Sequence, residues 1–460
     1  MAETAESSQG TVQHKIRLGR NYWKLWTASV VSNLGDGVAI IVYPWLASSV
    51  TRSALLVALI AVAQRIPWLI FTLPAGVITD RVDRRKIMTS AAVFRTVLTL
   101  VVAGIVFVNQ GTLPSPGDVG TGVVGDLNTT MYLTLLISAL LFGFAEVLYD
   151  NASQTILPAI VAPEGLEKAN GRLWGAEMVM NQFVGPPLGS VLVGVAFALP
   201  FFFDAGTFAI AAALIFALSG AFTVGPPQRE DDTGERPGFW AEIKEGVKWL
   251  WEHPLLRPMA IILGLLNGLL AVAFATMVLF AQDVLHLAPT LFAVLMMAGA
   301  SGGVLGSVLA PKISKRIGSG TSLHLTLLVM PLVTLVVGLA SHWLLVWAMF
   351  FIAAFAGVLW NVITVSLRQT IIPDYLLGRV NSVYRLFAWG TMPIALGLGG
   401  LIVTGSEAAG VDRVMALRLP YFVAASALFV VFLWAMPRLT TEKIETARAA
   451  GIAAKEEQTT

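Results

Sequence analysis

The sequence predicts an all-α membrane protein of twelve transmembrane helices, arranged as two related six-helix bundles with both termini in the cytoplasm. Three observations carry that prediction: apolar stretches long enough to cross a bilayer, basic residues gathered on one side of the alternating spans, and an internal repeat. Of the 460 residues, 56% are hydrophobic and only 13% are charged. Average soluble domains carry roughly 25% charged residues. A hydrocarbon core about 30 Å thick needs roughly 20 apolar residues in a helix, and helix is required because hydrocarbon offers no partner to an unpaired backbone group. Stretches of suitable length fall at 23–49, 53–78, 87–109, 131–156, 168–199, 201–223, 256–282, 287–310, 321–341, 343–366, 379–404 and 417–436.

Orientation follows from charge. With twelve spans, the termini and the even-numbered loops hold 24 of the 30 Lys and Arg residues. The opposite side holds only Arg52, Arg413 and Arg418, while Arg65, Arg95 and Arg385 fall within spans. The positive-inside rule then places both termini in the cytoplasm. The polar, mildly acidic N-terminus lacks the basic start and short apolar run of a cleaved signal peptide, so the first span is expected to be retained. No cysteine is present, which excludes disulfides and thiolate metal sites.

These features divide the chain into a tail at 1–22, a bundle at 23–223, a linker at 224–255, a second bundle at 256–436 and a tail at 437–460. The linker opens with the solvated run Pro226-Pro227-Gln228-Arg229-Glu230-Asp231-Asp232. It continues with Phe239, Trp240, Ile243, Val247, Leu250 and Trp251 at helical spacing, opposed by Glu242, Glu245 and Lys248. That pattern predicts a short amphipathic helix on the inner membrane surface. The repeat reads Gln154-Thr155-Ile156-Leu157-Pro158 in one half and Gln369-Thr370-Ile371-Ile372-Pro373 in the other, each between the fourth and fifth spans. Repeated halves form a midplane site between two rocking bundles.

Motifs narrow the reading. After the second span comes Gly76-Val77-Ile78-Thr79-Asp80-Arg81-Val82-Asp83-Arg84-Arg85-Lys86. Gly76 would admit a close helix, and the Asp80 carboxylate could face the positive end of a neighbouring helix or bond Arg81, Arg84 and Arg85. The corresponding second-half loop, from Gly306 to Arg316, keeps the glycine and the basic residues but has Ala310 in place of the aspartate. The fifth span carries Gly185-Pro186-Pro187-Leu188-Gly189-Ser190, in which proline kinks the helix and small residues allow tight packing against a helix of the other half.

The loop at 76–86 resembles the signature loop of the major facilitator superfamily, with Asp83 where glycine is usual. The run at 185–190 is similar to the antiporter motif of that superfamily, with Ser190 in place of its second glycine. Glu245 to Arg257, together with Asn33-Leu34-Gly35-Asp36-Gly37, is similar to the branch containing macrolide efflux proteins, Tap-type multidrug pumps and enterobactin exporters. The resemblance implies the major facilitator fold, an inner latch between the loop and the eleventh helix, and export by alternating access in a bacterial inner membrane.

A charge at the bilayer centre costs from about 2.5 to well over 10 kcal/mol, so each one needs a partner or a task. Asp36 in the first span and Glu146 in the fourth, with Asp150 one turn from Glu146, are candidates for carrying a transported proton. A conformational change that alters burial or pairing can load and release one. Arg65 and Arg95 are candidate counter-ions, with Glu177 a further partner, whereas Asp204 is expected to be interfacial near an outer helix end. Permanent structural pairing is the competing reading for each. Asn33, Gln64, Tyr149, Asn181, Asn267, Phe274, Trp360 and Asn361 are the expected substrate-cavity residues, with Phe355, Met296 and Met297 adding to an apolar second-half wall.

No Walker-type phosphate loop supports ATP-driven pumping, the five histidines show no ligand spacing, and no cofactor or enzymatic activity is expected. The partners expected are a small-molecule substrate, protons and membrane lipid, without nucleic acid, for a chain acting as a monomer. The functional expectation is a proton-coupled exporter of amphipathic or lipophilic molecules. A siderophore or lipid-like metabolite exporter and a non-transporting scaffold or sensor are the alternatives.

Overall fold

The computed structural model describes residues 18–116, 118–119, 128–162, 165–220, 222 and 239–457. Nearly all of them lie in helices. The first half contains α1 (Arg20–Val50), α2 (Ala54–Ile70), α3 (Thr72–Arg81), α4 (Arg84–Asn109), α5 (Thr129–Ile160), α6 (Leu166–Met178), α7 (Gly185–Val195) and α8 (Leu199–Phe216). The linker contributes α9 (Phe239–Glu252). The second half contains α10 (Leu256–Phe274), α11 (Met277–Asp283), α12 (Pro289–Ile317), α13 (Ser319–Leu339), α14 (Trp343–Ile371), α15 (Asp374–Gly390), α16 (Met392–Ala408) and α17 (Arg413–Ala435), followed by α18 (Thr441–Glu457). Among the described residues, eleven stretches are long and apolar enough to cross a bilayer. The shorter α2, continued by α3, lies where the second span is expected.

Several spans are broken, and proline explains most of the breaks. Pro74 has no N–H for the carbonyl four residues back, and the helix is interrupted at Phe71. Pro393 does the same at Thr391, between α15 and α16. Pro186 and Pro187 together remove two donors, and the turn before them widens into a π segment, Val179–Val184, in which the Gly185 N–H reaches the Met180 carbonyl. One expected break is missing. The second-half loop anticipated after Ala310 is helical, because α12 tolerates Pro311 and runs on to Gly318, whose φ of 85° ends it.

The glycines of the fifth span meet a different neighbour from the one expected. A Cβ on Gly185 would fall 2.5 Å from Gly37 Cα, and one on Gly189 would fall 2.7 Å from the Val38 carbonyl oxygen. The close glycine contact is therefore with α1 of the same half, while α7 also packs on α12 of the other half. A Cβ on Gly37 would lie 2.7 Å from the Met180 oxygen and 2.8 Å from the Asn181 oxygen, both backbone atoms that cannot swing aside. Gly37→Ala is therefore expected to destabilise the protein by about 1–3 kcal/mol through overpacking. Gly104 is also helical but has nothing within 4 Å of a Cβ, so Gly104→Ala should be neutral or stabilising by up to about 1 kcal/mol. Thermal unfolding of both variants in detergent checks the contrast, and equal melting temperatures would contradict the close-approach account.

The apolar cores reveal how the halves meet. One cluster joins Trp45, Leu46 and Val50 of the first half to Leu279, Phe280 and Phe292 of the second. It lies on the face opposite the termini, here termed the outer face. Toward the termini each half keeps a core of its own, one around Tyr22, Met88 and Ile156 and the other around Leu256, Leu323 and Leu367. The halves are thus fused on the outer side and separate on the inner side.

Ion pairs reinforce the outer seal. Asp283 binds Arg52 across the seam and Arg413 at 3.0 Å. The Arg413 guanidinium also donates to the Arg52 carbonyl at 2.9 Å and pairs with Glu407 at 2.6 Å. Gln282 donates to Ser48 Oγ at 2.8 Å.

On the inner side, α9 is fastened to the start of α15 by the Glu245–Arg379 pair and by Gly246 packing on Arg379. His253 Nδ1 accepts from the N–H groups of Leu255 and Leu256 and caps α10. The linker residues before 239 and the side chains of Phe239 to Ile243 lie outside the described residues. Helix α18 occupies much of the segment read as a C-terminal tail. It buries Ile444 and sets Gly451 against Thr370 and Ile371.

Candidate functional site

The central cavity lies between the halves and has a volume of about 420 Å³. Its first-half wall carries Asp36 from α1, Gln64 and Arg65 from α2, Arg95 from α4, Glu146 from α5, Asn181 from the π segment and Asp204 from α8. Its second-half wall is apolar, with Phe274, Met277, Phe292, Met296, Met392 and Leu396 prominent. Three carboxylates and two guanidinium groups share one wall, so the wall is acidic when all are ionised.

Arg95 organises this wall. Its side chain is 6% exposed and pairs with Asp36, whose side chain is 31% exposed. The guanidinium also stacks 3.9 Å from the Phe208 ring centroid, a favourable cation–π arrangement. Asp36, Glu146 and Asp204 all lie within its electrostatic range. Only Asp36 forms an ion pair with it among the described residues. Glu146 and Arg65 line the cavity without a described ion-pair partner.

Asp204 corrects the sequence expectation of an interfacial residue. It is 4% exposed, lines the cavity and accepts from Thr207 Oγ1 at 3.2 Å. Its carboxylate occupies the space a Cβ on Gly35 would need. The usable signal was Gly35 itself, a missing side chain beside an acidic residue on the first helix. The π segment was also missed, and the Pro186-Pro187 pair was its signal.

Other expected residues fall elsewhere. Asp150 and Tyr149 lie on α5 outside the central cavity lining, and the Tyr149 hydroxyl is buried without a partner. Asn33 turns its amide back onto Ser29. Asn267, Trp360 and Asn361 line a second cavity within the second half, where the Asn267 amide donates to the Ala388 carbonyl at 2.9 Å. Glu177 is exposed on α6 and forms no described ion pair, so it is not a counter-ion in this arrangement. Met297 and Phe355 are also absent from the central lining.

The basic loop is described in part. Asp80 belongs to α3, but its side chain lies outside the described residues. A Cβ on Gly76 would meet nothing within 4 Å, so the anticipated close helix is absent here. Arg84 donates to the Thr155 carbonyl at 2.6 Å and Arg85 to the Leu218 carbonyl at 2.8 Å, each near a helix C-terminus. Arg81 is exposed. Asp83 caps α4 through Arg85 and Lys86 and also accepts from the Phe222 N–H at 3.2 Å.

Two membrane-embedded bundles closed around one central cavity define a membrane transporter. Residues 25–397 match the sequence profile of the Major Facilitator Superfamily, and the chain belongs to that superfamily. It is 25% identical over 428 residues to the multidrug efflux pump Tap of Mycolicibacterium fortuitum, covering 90% of this chain and 94% of that one. It is also 25% identical over 319 residues to the enterobactin exporter EntS of Citrobacter koseri, covering 67% of each. In fold it is similar to a bacterial homologue of the iron transporter ferroportin in an inward-facing state, with a TM-score of 0.66, 16% identity, and 92% and 99% of the two chains covered.

Proposed function

We propose that the protein is a proton-coupled exporter of amphipathic or lipophilic small molecules, working by alternating access. The observation that carries this reading is the division of the central cavity into an acidic wall and an apolar wall. Phenylalanine and methionine surfaces accommodate ligands of varied shape, so a lipophilic cargo lies against the second half. A carboxylate inside a membrane needs a partner or a proton. Asp36 has Arg95, whereas Glu146 has no described partner and is the proton carrier in this reading. Asp150, one helical turn away, continues the proton route toward the inner face. The outward direction is supported by the likeness to an efflux pump and an exporter.

Alternation of the two faces supplies the coupling. The state with fused outer cores admits cargo from the inner side. In the opposite state the loop at 76–86 closes against the second half as an inner latch, and Gly76, open here, supplies the room for that contact. The π segment and the Gly185 and Gly189 packing hold the fifth span against α1, so that Asn181 moves with Asp36.

The test uses inverted membrane vesicles with an acid interior. A lipophilic fluorescent dye is expected to accumulate inside against its gradient, and a protonophore should collapse that accumulation. Accumulation that survives the protonophore would remove proton coupling from the reading. A siderophore or lipid-like metabolite is the second reading for the cargo, favoured by the enterobactin exporter among the relatives. The same vesicles, given a catecholate siderophore on the outside in place of the dye, separate the two.

A further inference from the structure

The second half holds a second, open cavity of about 300 Å³ among α10, α13, α14 and α15. Its chemistry is the reverse of the central wall: Arg368 and Arg385 both line it and, among the described residues, no aspartate or glutamate does. The Arg368 guanidinium lies 4.4 Å from the Tyr384 ring centroid and, among the described residues, bonds only the Thr364 carbonyl, at 3.4 Å. Arg385 forms no ion pair with a described residue. Trp360 lines the same cavity at 3% exposure, and its Nε1–H is buried without an acceptor. Among the described residues, the cavity therefore offers two cations and an orphaned donor with no anion to meet them.

We propose that this cavity binds the oxyanion head, phosphate or carboxylate, of an amphiphile whose apolar part lies on Leu263, Leu266, Leu270 and Met330. Guanidinium groups in a membrane-spanning segment require compensation, and a buried N–H left without an acceptor is costly. A tetrahedral or planar oxyanion satisfies both at once, with paired hydrogen bonds from arginine. The apolar residues in the lining suit an alkyl tail and give free phosphate nothing to bury. Trp389 lines the cavity and stacks on Trp68 of the first half with ring centroids 6.5 Å apart. The site therefore reaches the seam between the halves, and its occupant bears on their relative movement.

Binding is measured by thermal shift of the purified full-length protein in maltoside micelles, so the result is independent of proton coupling. The probes are octyl phosphate, octyl glucoside (the same tail with a neutral head) and inorganic phosphate. Octyl phosphate is expected to bind about tenfold or more tightly than octyl glucoside. Arg385→Gln, at an exposed position that should leave the fold intact, is expected to erase that preference. Trp360→Phe, which keeps the ring bulk but removes the donor, should weaken octyl phosphate by about threefold. Inorganic phosphate that fails to displace octyl phosphate confirms an amphiphile as the occupant; displacement at equal concentration overturns that assignment in favour of a free anion. Equal affinity for the charged and neutral amphiphiles, or a preference unchanged in both Arg385→Gln and Arg368→Gln, would overturn the site.

Discussion

Glu146→Gln is expected to leave substrate exchange intact and to abolish accumulation against a gradient. Glutamine keeps the volume and hydrogen-bonding capacity of the side chain but cannot carry a proton. For each proton exchanged, a pH difference of one unit is worth about 1.4 kcal/mol and sustains about a tenfold concentration ratio. In the variant that ratio should fall to one, while exchange of labelled for unlabelled substrate at equal pH continues. Asp36→Asn is a poorer test of coupling, because it strands Arg95, whose side chain is 6% exposed. Removing one member of a buried pair typically costs about 3–5 kcal/mol, so its loss of transport would mix misfolding with uncoupling. If Glu146→Gln still supports uphill accumulation, the proton is carried elsewhere, and Asp204 is the next carboxylate on the same wall.

Asp283→Asn is expected to open the outer face. The Asp283 side chain is 13% exposed and compensates both Arg52 and Arg413. Without its charge those two guanidinium groups repel across the seam. Partial solvent exposure of both arginines reduces the loss relative to a dry pair, to about 1–3 kcal/mol. That is about a fivefold to 150-fold change in the ratio of closed to open outer faces. The chain has no cysteine, so a single cysteine introduced at Met296, which lines the cavity, reports access directly. Labelling by a membrane-impermeant maleimide from the outer side should rise by about tenfold in the Asp283→Asn background. An unchanged labelling rate would mean that the apolar cluster alone holds the outer face shut.

The spans were legible because hydropathy is a local property summed over some twenty residues, and a bilayer imposes it on every crossing. The acidic first half and apolar second half were legible for a related reason. A carboxylate such as Asp36 or Glu146 is conspicuous in an apolar run, and the cost of placing it there is independent of fold detail. What escaped depends on contact between distant segments. Asp204 read as interfacial because depth was counted from its own helix end, whereas its burial comes from Gly35, far away in sequence. The glycines of the fifth span announced a close approach but not its partner, which is α1. Trp360 and Asn361 were expected in the substrate cavity, yet nothing local assigns them to the second cavity instead of the first. The eighth span illustrates the opposite error: expected to end at Ala310, it continues through Pro311 to Ile317.

The fused outer core and the divided inner cores have a consequence for the surrounding lipid. In the proposed alternation, switching state would part an apolar seam at one leaflet and merge two at the other, so the area the protein occupies in each leaflet would change in opposite directions. The resistance of each monolayer to being spread or compressed then enters the barrier to turnover. A membrane whose two leaflets are packed differently will speed one half of the cycle and slow the other, with no ligand involved.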